Sequence, residues 1–184
     1  MQTFQRCRRL MLFLNACLLC ILFGLSNKVS AEATPPAKPE PNTALTRLQE
    51  FTNRASELAI SAMGMLGIRY KYGGTTPENG LDCSGLVRYV FKEAWGASLP
   101  RTAEEISQVG QHVETSELQP GDLVFYNTLK RGFSHVGIYL GDNKFIHSPS
   151  AGGEVRIESM DISYWKKRFN GARRILDPEQ KSSN

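Results

Sequence analysis

The sequence predicts an α+β domain in which N-terminal helices pack on a mostly antiparallel sheet of about five to six strands. Patterns of helical period dominate the globular part up to about residue 110, and short β-rich runs dominate the rest. Helices first and strands second favour such a domain over a parallel sheet built from strand–helix–strand units. The apolar share of 41% in 184 residues suits one ordinary domain with a hydrophobic core.

Residues 1–31 have the pattern of a secretory signal peptide. Three arginines precede a stretch at 10–25 that is almost wholly apolar, and residues 29–31 (VSA) form a small-x-small cleavage site. The apolar stretch is shorter than the ~20 residues that span a bilayer, so we expect cleavage near Ala31 instead of a retained anchor. This predicts a periplasmic or secreted protein without stable membrane insertion after cleavage. A lipid anchor at the LNAC sequence, residues 14–17, is the less favoured alternative.

Charge and cysteine content both change once the predicted signal is set aside. Four of the 22 basic residues and none of the 18 acidic ones lie in residues 1–31, so the remainder is formally neutral with 18 of each. A neutral chain gives no support to nucleic-acid binding. Three of the four cysteines also lie in that segment. Cys83 is therefore the one thiol of the mature chain, and an unpaired thiol in an exported protein raises the question of its role.

The mature chain opens with a linker at residues 32–43, which contains four prolines and no large apolar residue. A globular domain at residues 44–177 and a short tail at 178–184 follow. The domain begins with a helix, because apolar residues recur at helical spacing from Ala44 to Leu66.

A second helix is predicted directly after a glycine-rich loop, and Cys83 lies at its start. Apolar residues recur at helical spacing after Cys83, Asp82 is a favourable N-cap, and Gly96 is a suitable C-terminal stop. In the first turn the free N–H groups and the helix dipole favour an anion, so we expect a lowered pKa for the Cys83 thiol. Cys83 is thus a candidate nucleophile.

The remaining elements are short. A capping-box spacing at Thr102 and Glu105 predicts a small helix that ends near Gly110. One or two helical turns are expected at residues 162–169. The β-rich runs, separated by turn residues, are 122–127, 134–140, 144–148, 154–159 and 172–176.

Two histidines of neighbouring strands could serve this nucleophile. A thiolate that attacks a carbonyl needs a base within hydrogen-bonding reach and a third group that orients the base. His135 begins one predicted strand, His147 ends the next, and a GDNK turn joins them. A helix that bears Cys83 and packs on this sheet would complete a Cys–His–His triad, with His135 as the base and His147 as the orienting residue. His112 is expected to be an ordinary surface or hydrogen-bonded core histidine.

The triad hypothesis requires a particular register of the hairpin. Because side chains alternate along a strand, His135 and His147 share a face only if the numbers of paired residues sum to an even value. An odd number of loop residues, or a bulge, satisfies this condition. A plain two-residue turn at residues 142–143 would place the histidines on opposite faces.

Simpler interpretations concern the same residues. Asp82 can act purely as a helix cap. A zinc site is a further alternative, but no CxxC or HxxxH spacing supports it, and no cofactor is expected. The residues that would form such a site are Cys83, His135, His147 and Asp82.

Several motifs occur in one order: YKYGG, LDCSGLVRYVF, LPRTAEE, LQPGDLVFY and HVGIYLGDNKFIHSPS. Together they resemble the NlpC family of cell-wall cysteine peptidases over about residues 58–176. The tail YWKKRFNGARRIL resembles the Spr (MepS) murein endopeptidase type in particular. The resemblance implies a papain-like fold, with Cys83 as the nucleophile, His135 as the base and His147 as the third polar residue.

The resemblance also implies an oxyanion contact from an upstream tyrosine, for which Tyr70 is the better match and Tyr72 the competitor. It implies a peptidoglycan hydrolase that cuts amide bonds of diaminopimelate-containing peptide stems or crosslinks, with D,D-endopeptidase or L,D-carboxypeptidase action. Two other functions stay open: an amidase or acyltransferase on another amide, and a non-catalytic wall-binding module. The chain departs from the Spr type in favouring ordinary signal cleavage over lipidation, and the loop 75–81 is slightly long.

Overall fold

The computed structural model describes residues 43–129, 132–151 and 153–176. The predicted signal peptide, nearly all of the proline-rich linker and the predicted C-terminal tail lie outside these residues. Within the described ranges, none of the helices combines the length and the apolar character that crossing a membrane requires.

Across the described residues, two longer and two short α-helices form, together with a 3-10 turn at Thr115–Glu117. They are α1 (Thr43–Met63), α2 (Cys83–Trp95), α3 (Ala103–Ile106) and α4 (Ser163–Lys166). The capping box of Thr102 and Glu105 at the start of α3 is confirmed. The predicted end of this helix near Gly110 is wrong, because the N–H groups of Gln108 and Val109 bond to carbonyls three residues back.

The strands form a six-stranded sheet in which every neighbouring pair is antiparallel, with spatial order β3-β8-β4-β5-β6-β7. The expected mostly antiparallel sheet is therefore confirmed. Two strands of two residues each, β1 and β2, form a small hairpin before α2. The strands are β1 (Thr75–Thr76), β2 (Gly80–Leu81), β3 (Gln111–Val113), β4 (Leu123–Tyr126), β5 (His135–Gly141), β6 (Lys144–His147), β7 (Arg156–Ser159) and β8 (Phe169–Arg174).

The sequence predicted five strands of the large sheet and missed its edge strand β3. Two of the three residues of β3 are exposed, so no apolar alternation marks the strand. It forms because Gln111, His112 and Val113 pair with β8, which is more than 55 residues away in the chain. The small hairpin β1–β2 was likewise not predicted, since strands of two residues carry no period.

The two faces of the sheet bury different clusters. On one face, alternate strand residues such as Phe125, Val136 and Ile138 pack on apolar residues of α1 and α2. On the other face, Tyr126, Phe145 and others pack around Trp165 of α4. The helix that bears Cys83 is thus fixed on one side of the sheet, and α4 covers the opposite side.

Candidate active site

Cys83 is the first residue of α2. The carboxylate of Asp82 accepts a hydrogen bond of 2.6 Å from the N–H of Gly85, and Gly96 ends the helix with a left-handed φ of 63°. Both predicted helix signals are therefore confirmed. The cap places Cys83 in the first turn, at the positive end of the helix dipole.

Asp82 does more than cap the helix. Its carboxylate also accepts bonds from the hydroxyl of Ser84 at 3.0 Å and the N–H of Gly73 at 3.0 Å. Nη2 of Arg101 lies 2.6 Å from Oδ2 of Asp82, and this hydrogen bond is the main cause that raises the pKa of Arg101. Arg101 belongs to the LPRT motif, but its pairing partner could not be identified from the sequence. The Arg101–Asp82 pair fixes the glycine-rich loop against the start of α2.

The predicted lowering of the thiol pKa is wrong for the free site. Burial is the largest influence and raises the pKa of Cys83, and the charge of Asp82 acts in the same direction. Backbone N–H groups of Val136, Ser84 and Cys83 itself bond to the sulfur and oppose the rise. The helix start alone therefore does not produce a resting thiolate, and the thiol needs a base.

The hairpin of β5 and β6 meets the register condition through a bulge. Ile138 pairs with Ile146 and Tyr139 with Phe145, but the next pair is Gly141 with Lys144, so Leu140 is left over. The turn itself has two residues, Asp142 and Asn143, both with positive φ. The odd residue is thus in the strand and not in the loop, and His135 and His147 lie on the same face of the sheet.

The two histidines contact each other directly. Nε2 of His135 lies 2.8 Å from Nδ1 of His147, and both residues are buried, at 7% and 0% exposure. The other ring nitrogen of His147, Nε2, lies 3.4 Å from Oε2 of Glu158 on β7. Trp165 donates its indole N–H to the same carboxylate oxygen, and its ring stacks on His135. Glu158 and Trp165 are parts of the site that the sequence analysis missed.

This arrangement selects one tautomer for each imidazole. Nε2 of His147 faces a carboxylate oxygen of Glu158 at 3.4 Å without reaching hydrogen-bond geometry, and the tautomer that fits this contact has the proton on Nε2 and leaves Nδ1 as the acceptor. Nε2 of His135 must then be the donor of the bond between the histidines. Nδ1 of His135 is left with its lone pair and can act as a proton acceptor.

Both histidines are held in the neutral form. Burial lowers the pKa of His135 to about 3, His147 acts in the same direction, and Glu158 opposes. Burial also lowers the pKa of His147 to about 3, with a further contribution from the charge of Arg156. At neutral pH, His135 is therefore an unprotonated imidazole, as a general base must be.

These depressed values make the fold acid-sensitive. In the unfolded chain a histidine binds a proton near pH 6.5, whereas the buried imidazoles bind one only near pH 3, so stability falls as the pH drops between these values. We expect each histidine to contribute about 2 kcal/mol of lost stability between pH 6.5 and pH 5. Urea unfolding at pH 7 and pH 5 should show that His147→Asn reduces this loss, while the exposed-residue control His112→Asn leaves it unchanged. Equal pH dependence in His147→Asn and wild type would contradict the expectation.

Cys83 and His135 line one cleft of about 550 Å³. The bond from the N–H of Val136 to the sulfur fixes the thiol beside the first residues of β5. Tyr70 and Tyr72 line the same cleft, but Tyr72 is 89% exposed, whereas Tyr70 is half-buried. Burial is the main cause that raises the pKa of Tyr70, so its hydroxyl stays a donor.

A buried hydroxyl links the two halves of the site. Ser148, which follows His147, donates to the carbonyl of Leu81 at 2.7 Å, directly before Asp82 and Cys83. Its burial at 0% exposure keeps the end of β6 tied to the start of α2. The FIHS motif therefore supplies both a histidine and the tether that positions it.

His112 lies apart from this site. Its side chain is 57% exposed on the edge strand β3, 3.6 Å from Glu114, as expected for a surface histidine. Across residues 43–129, 132–151 and 153–176, no three His, Cys, Asp or Glu side chains are grouped as ligands of a metal ion.

Comparison with known proteins connects this geometry to named relatives. The sequence model described as the NlpC/P60 family matches residues 67–174. Murein DD-endopeptidase MepH of Escherichia coli K12 is 42% identical over 130 residues, which are 68% of this chain and 48% of the relative. Murein DD-endopeptidase MepS/Murein LD-carboxypeptidase of the same strain is 46% identical over 110 residues, 60% of this chain and 57% of the relative. The chain thus spans about half the length of these curated relatives.

A solved structure agrees with the fold. The crystal structure of an NlpC/P60 family protein from Bacillus cereus ATCC 10987 has a TM-score of 0.61 at 35% sequence identity. The match covers 66% of this chain and 40% of that one. The expected α+β fold of NlpC domains is therefore confirmed.

Proposed function

The chain belongs to the NlpC/P60 family, and on that premise we propose that it is a cysteine peptidase that hydrolyses amide bonds in the peptide stems or crosslinks of peptidoglycan. The observation that carries the proposal is the series of contacts from Glu158 through His147 to His135, beside the thiol of Cys83. Cys83 is the nucleophile, His135 the base and His147 the orienting residue.

The first half of the reaction forms an acyl-enzyme. The sulfur of Cys83 attacks the carbonyl carbon while Nδ1 of His135 takes the thiol proton, because neither group is charged in the resting site. The N–H groups of Cys83 and Ser84, which contact the sulfur in the resting site, and the hydroxyl of Tyr70 stabilise the oxyanion. His135, now an imidazolium, keeps its bond to His147, and the carboxylate of Glu158 offsets the new positive charge.

The second half returns the enzyme to its resting state. His135 gives its proton to the nitrogen of the leaving amine, and the C–N bond breaks to leave a thioester on Cys83. His135 then takes a proton from a water molecule that attacks the thioester carbonyl. The acid product leaves, and the proton returns to the sulfur.

The family relatives bear on which bond is cut. The name of the MepS relative states both a DD-endopeptidase and an LD-carboxypeptidase. We assign the same two activities to this chain. Action on peptidoglycan would take place outside the cytoplasm, as the signal-peptide pattern of residues 1–31 also predicts.

Product analysis on purified muropeptides tests the proposal. We expect crosslinked dimers to be converted to monomers, and stem peptides to lose a terminal D-amino acid. Cleavage between sugar and peptide would identify an amidase, and transfer of the acyl group to an added amine an acyltransferase. Saturable binding to sacculi without soluble fragments would favour a wall-binding module and overturn the proposal.

A further inference from the structure

A second cavity of about 340 Å³ lies beside the catalytic cleft. The two cavities share Thr128, His135 and Ser150, but Cys83 lines only the cleft. The second cavity is bounded by residues of β7 and α4 and by the segment before β7. We call it the Arg156 pocket, after the arginine that the described part of its wall contains. Because His135 lines both cavities, each cavity can hold a different side of the scissile bond.

The Arg156 pocket adjoins the ring that protonates the leaving amine in the proposed reaction. In acyl transfer to a thiol, the acyl half of the substrate becomes bonded to the sulfur, and the leaving amine receives its proton from the imidazolium. The acyl half must therefore occupy the cleft that contains Cys83. A leaving amine that extends past His135 would enter the Arg156 pocket, because His135 lines both cavities and Cys83 lines only the cleft.

Arg156, in the wall of this pocket, has hydrogen-bond donors that the described protein groups do not use. Nε of Arg156 donates to Oε1 of Glu158 at 2.7 Å, and Nη1 donates to the carbonyl of Ala151 at 3.0 Å. Within the described part of the chain, Nη2 of Arg156 contacts no hydrogen-bond acceptor, and the side chain is 35% exposed. Both oxygens of Glu158 already face Arg156, Trp165 or His147. Donors of Arg156 thus remain available to a ligand, while Glu158 is occupied.

The rest of the wall suits a small amino acid. Ile162 is 47% exposed and Tyr164 is 45% exposed, so apolar surface faces the solvent beside the guanidinium. The hydroxyl of Ser150 lies at the border with the cleft. A cation next to an apolar wall fits a ligand with a carboxylate and a short aliphatic side chain.

We propose that the Arg156 pocket binds the amino acid that leaves on cleavage, and that Arg156 pairs with the free α-carboxylate of that amino acid. This inference rests on the proposed function. Both proposed activities release an amine whose carbon also carries a free carboxylate: the D-centre of diaminopimelate from a crosslink, or a terminal D-alanine. A carboxylate one carbon away from the scissile nitrogen would lie next to His135, on the side of Arg156. One guanidinium would thus serve both reactions.

Paired substrates test the role of Arg156. The first is a stem peptide that ends in D-alanine, and the second ends in D-alaninamide, which lacks the charge. For the wild-type chain we expect kcat/KM to be about 10- to 100-fold higher with the carboxylate. Arg156→Met should bring this ratio close to 1, and the ratio is the readout because loss of the bond between Arg156 and Glu158 affects both substrates alike. The matched control Arg168→Met removes a nearby cation that stacks on Tyr164, and its ratio should equal that of the wild type.

Other outcomes separate this inference from the function on which it rests. The inference fails if the wild type cuts both substrates equally well, or if Arg156→Met keeps the wild-type ratio. In either case Arg156 does not bind the carboxylate, and the proposed function still stands. If the wild type cuts no muropeptide at all, both proposals fail. If Arg156→Met does not fold, inhibition of the wild type decides: D-alanine should inhibit more strongly than D-alaninamide, and equal inhibition would overturn the inference.

Discussion

Cys83→Ala is expected to abolish the release of soluble fragments from peptidoglycan, with a loss of activity on the order of 10⁴-fold or more. The substitution removes the only thiol among the described residues, the group that forms the acyl intermediate in the proposed reaction. His135 would still be present as a base, but a water molecule that it activates would attack without the orientation that α2 gives the sulfur. Cys83→Ser tests the same point, because a hydroxyl is harder to deprotonate than a thiol.

The measurement is the rate of fragment release from purified sacculi, with circular dichroism as the check on folding. His135→Asn should lose activity to a similar extent, since the raised pKa of the Cys83 thiol leaves little thiolate without a base. His112→Asn is the matched control, because this exposed histidine lies on the edge strand β3. A folded Cys83→Ala protein that keeps a tenth of the wild-type activity would refute the assignment of the nucleophile.

The parts of the site that the sequence predicted depend on short-range rules. The cap at Asp82, the helix stop at Gly96 and the capping box before α3 each involve residues within a few positions of one another. The shared face of His135 and His147 could be posed as a condition for the same reason, because side chains alternate along a strand. The sequence could not decide whether this register condition is met. A bulge at Leu140 with a two-residue turn and a regular hairpin with a three-residue loop both agree with the same order of residues.

The parts that the sequence did not reveal depend on contacts between distant segments. Glu158 reaches His147 only because β7 pairs with β6, and Arg101 reaches Asp82 only because α3 packs beside α2. The thiol pKa failed as a prediction for a related reason. Helix position is visible in the sequence, but the burial that outweighs it comes from the folded environment of Cys83.

Gly85, the glycine of the DCSG motif, lies too close to neighbouring atoms for any larger residue to fit without a shift. A Cβ atom added at Gly85 would lie 2.0 Å from the carbonyl oxygen of Gly74 and 3.1 Å from Oδ1 of Asp82. The first neighbour is backbone, and the same oxygen accepts a hydrogen bond from the N–H of Asp82. No side-chain rotation can relieve this overlap, so the glycine-rich loop or the start of α2 must move.

Gly85→Ala is therefore expected to destabilise the fold by about 3 kcal/mol, even though alanine gains about 1 kcal/mol over glycine in a helix interior. It should also cost on the order of 10²-fold in activity, because Cys83 moves with the start of α2. Urea unfolding measures the first effect and fragment release the second. Gly64→Ala is the control, since its Cβ would meet no neighbour closer than 3.3 Å, and its stability should change by less than about 1 kcal/mol. Wild-type stability in Gly85→Ala would mean that the loop and the helix can separate at no cost, and that the thiol is not fixed by the contact between Gly74 and Gly85.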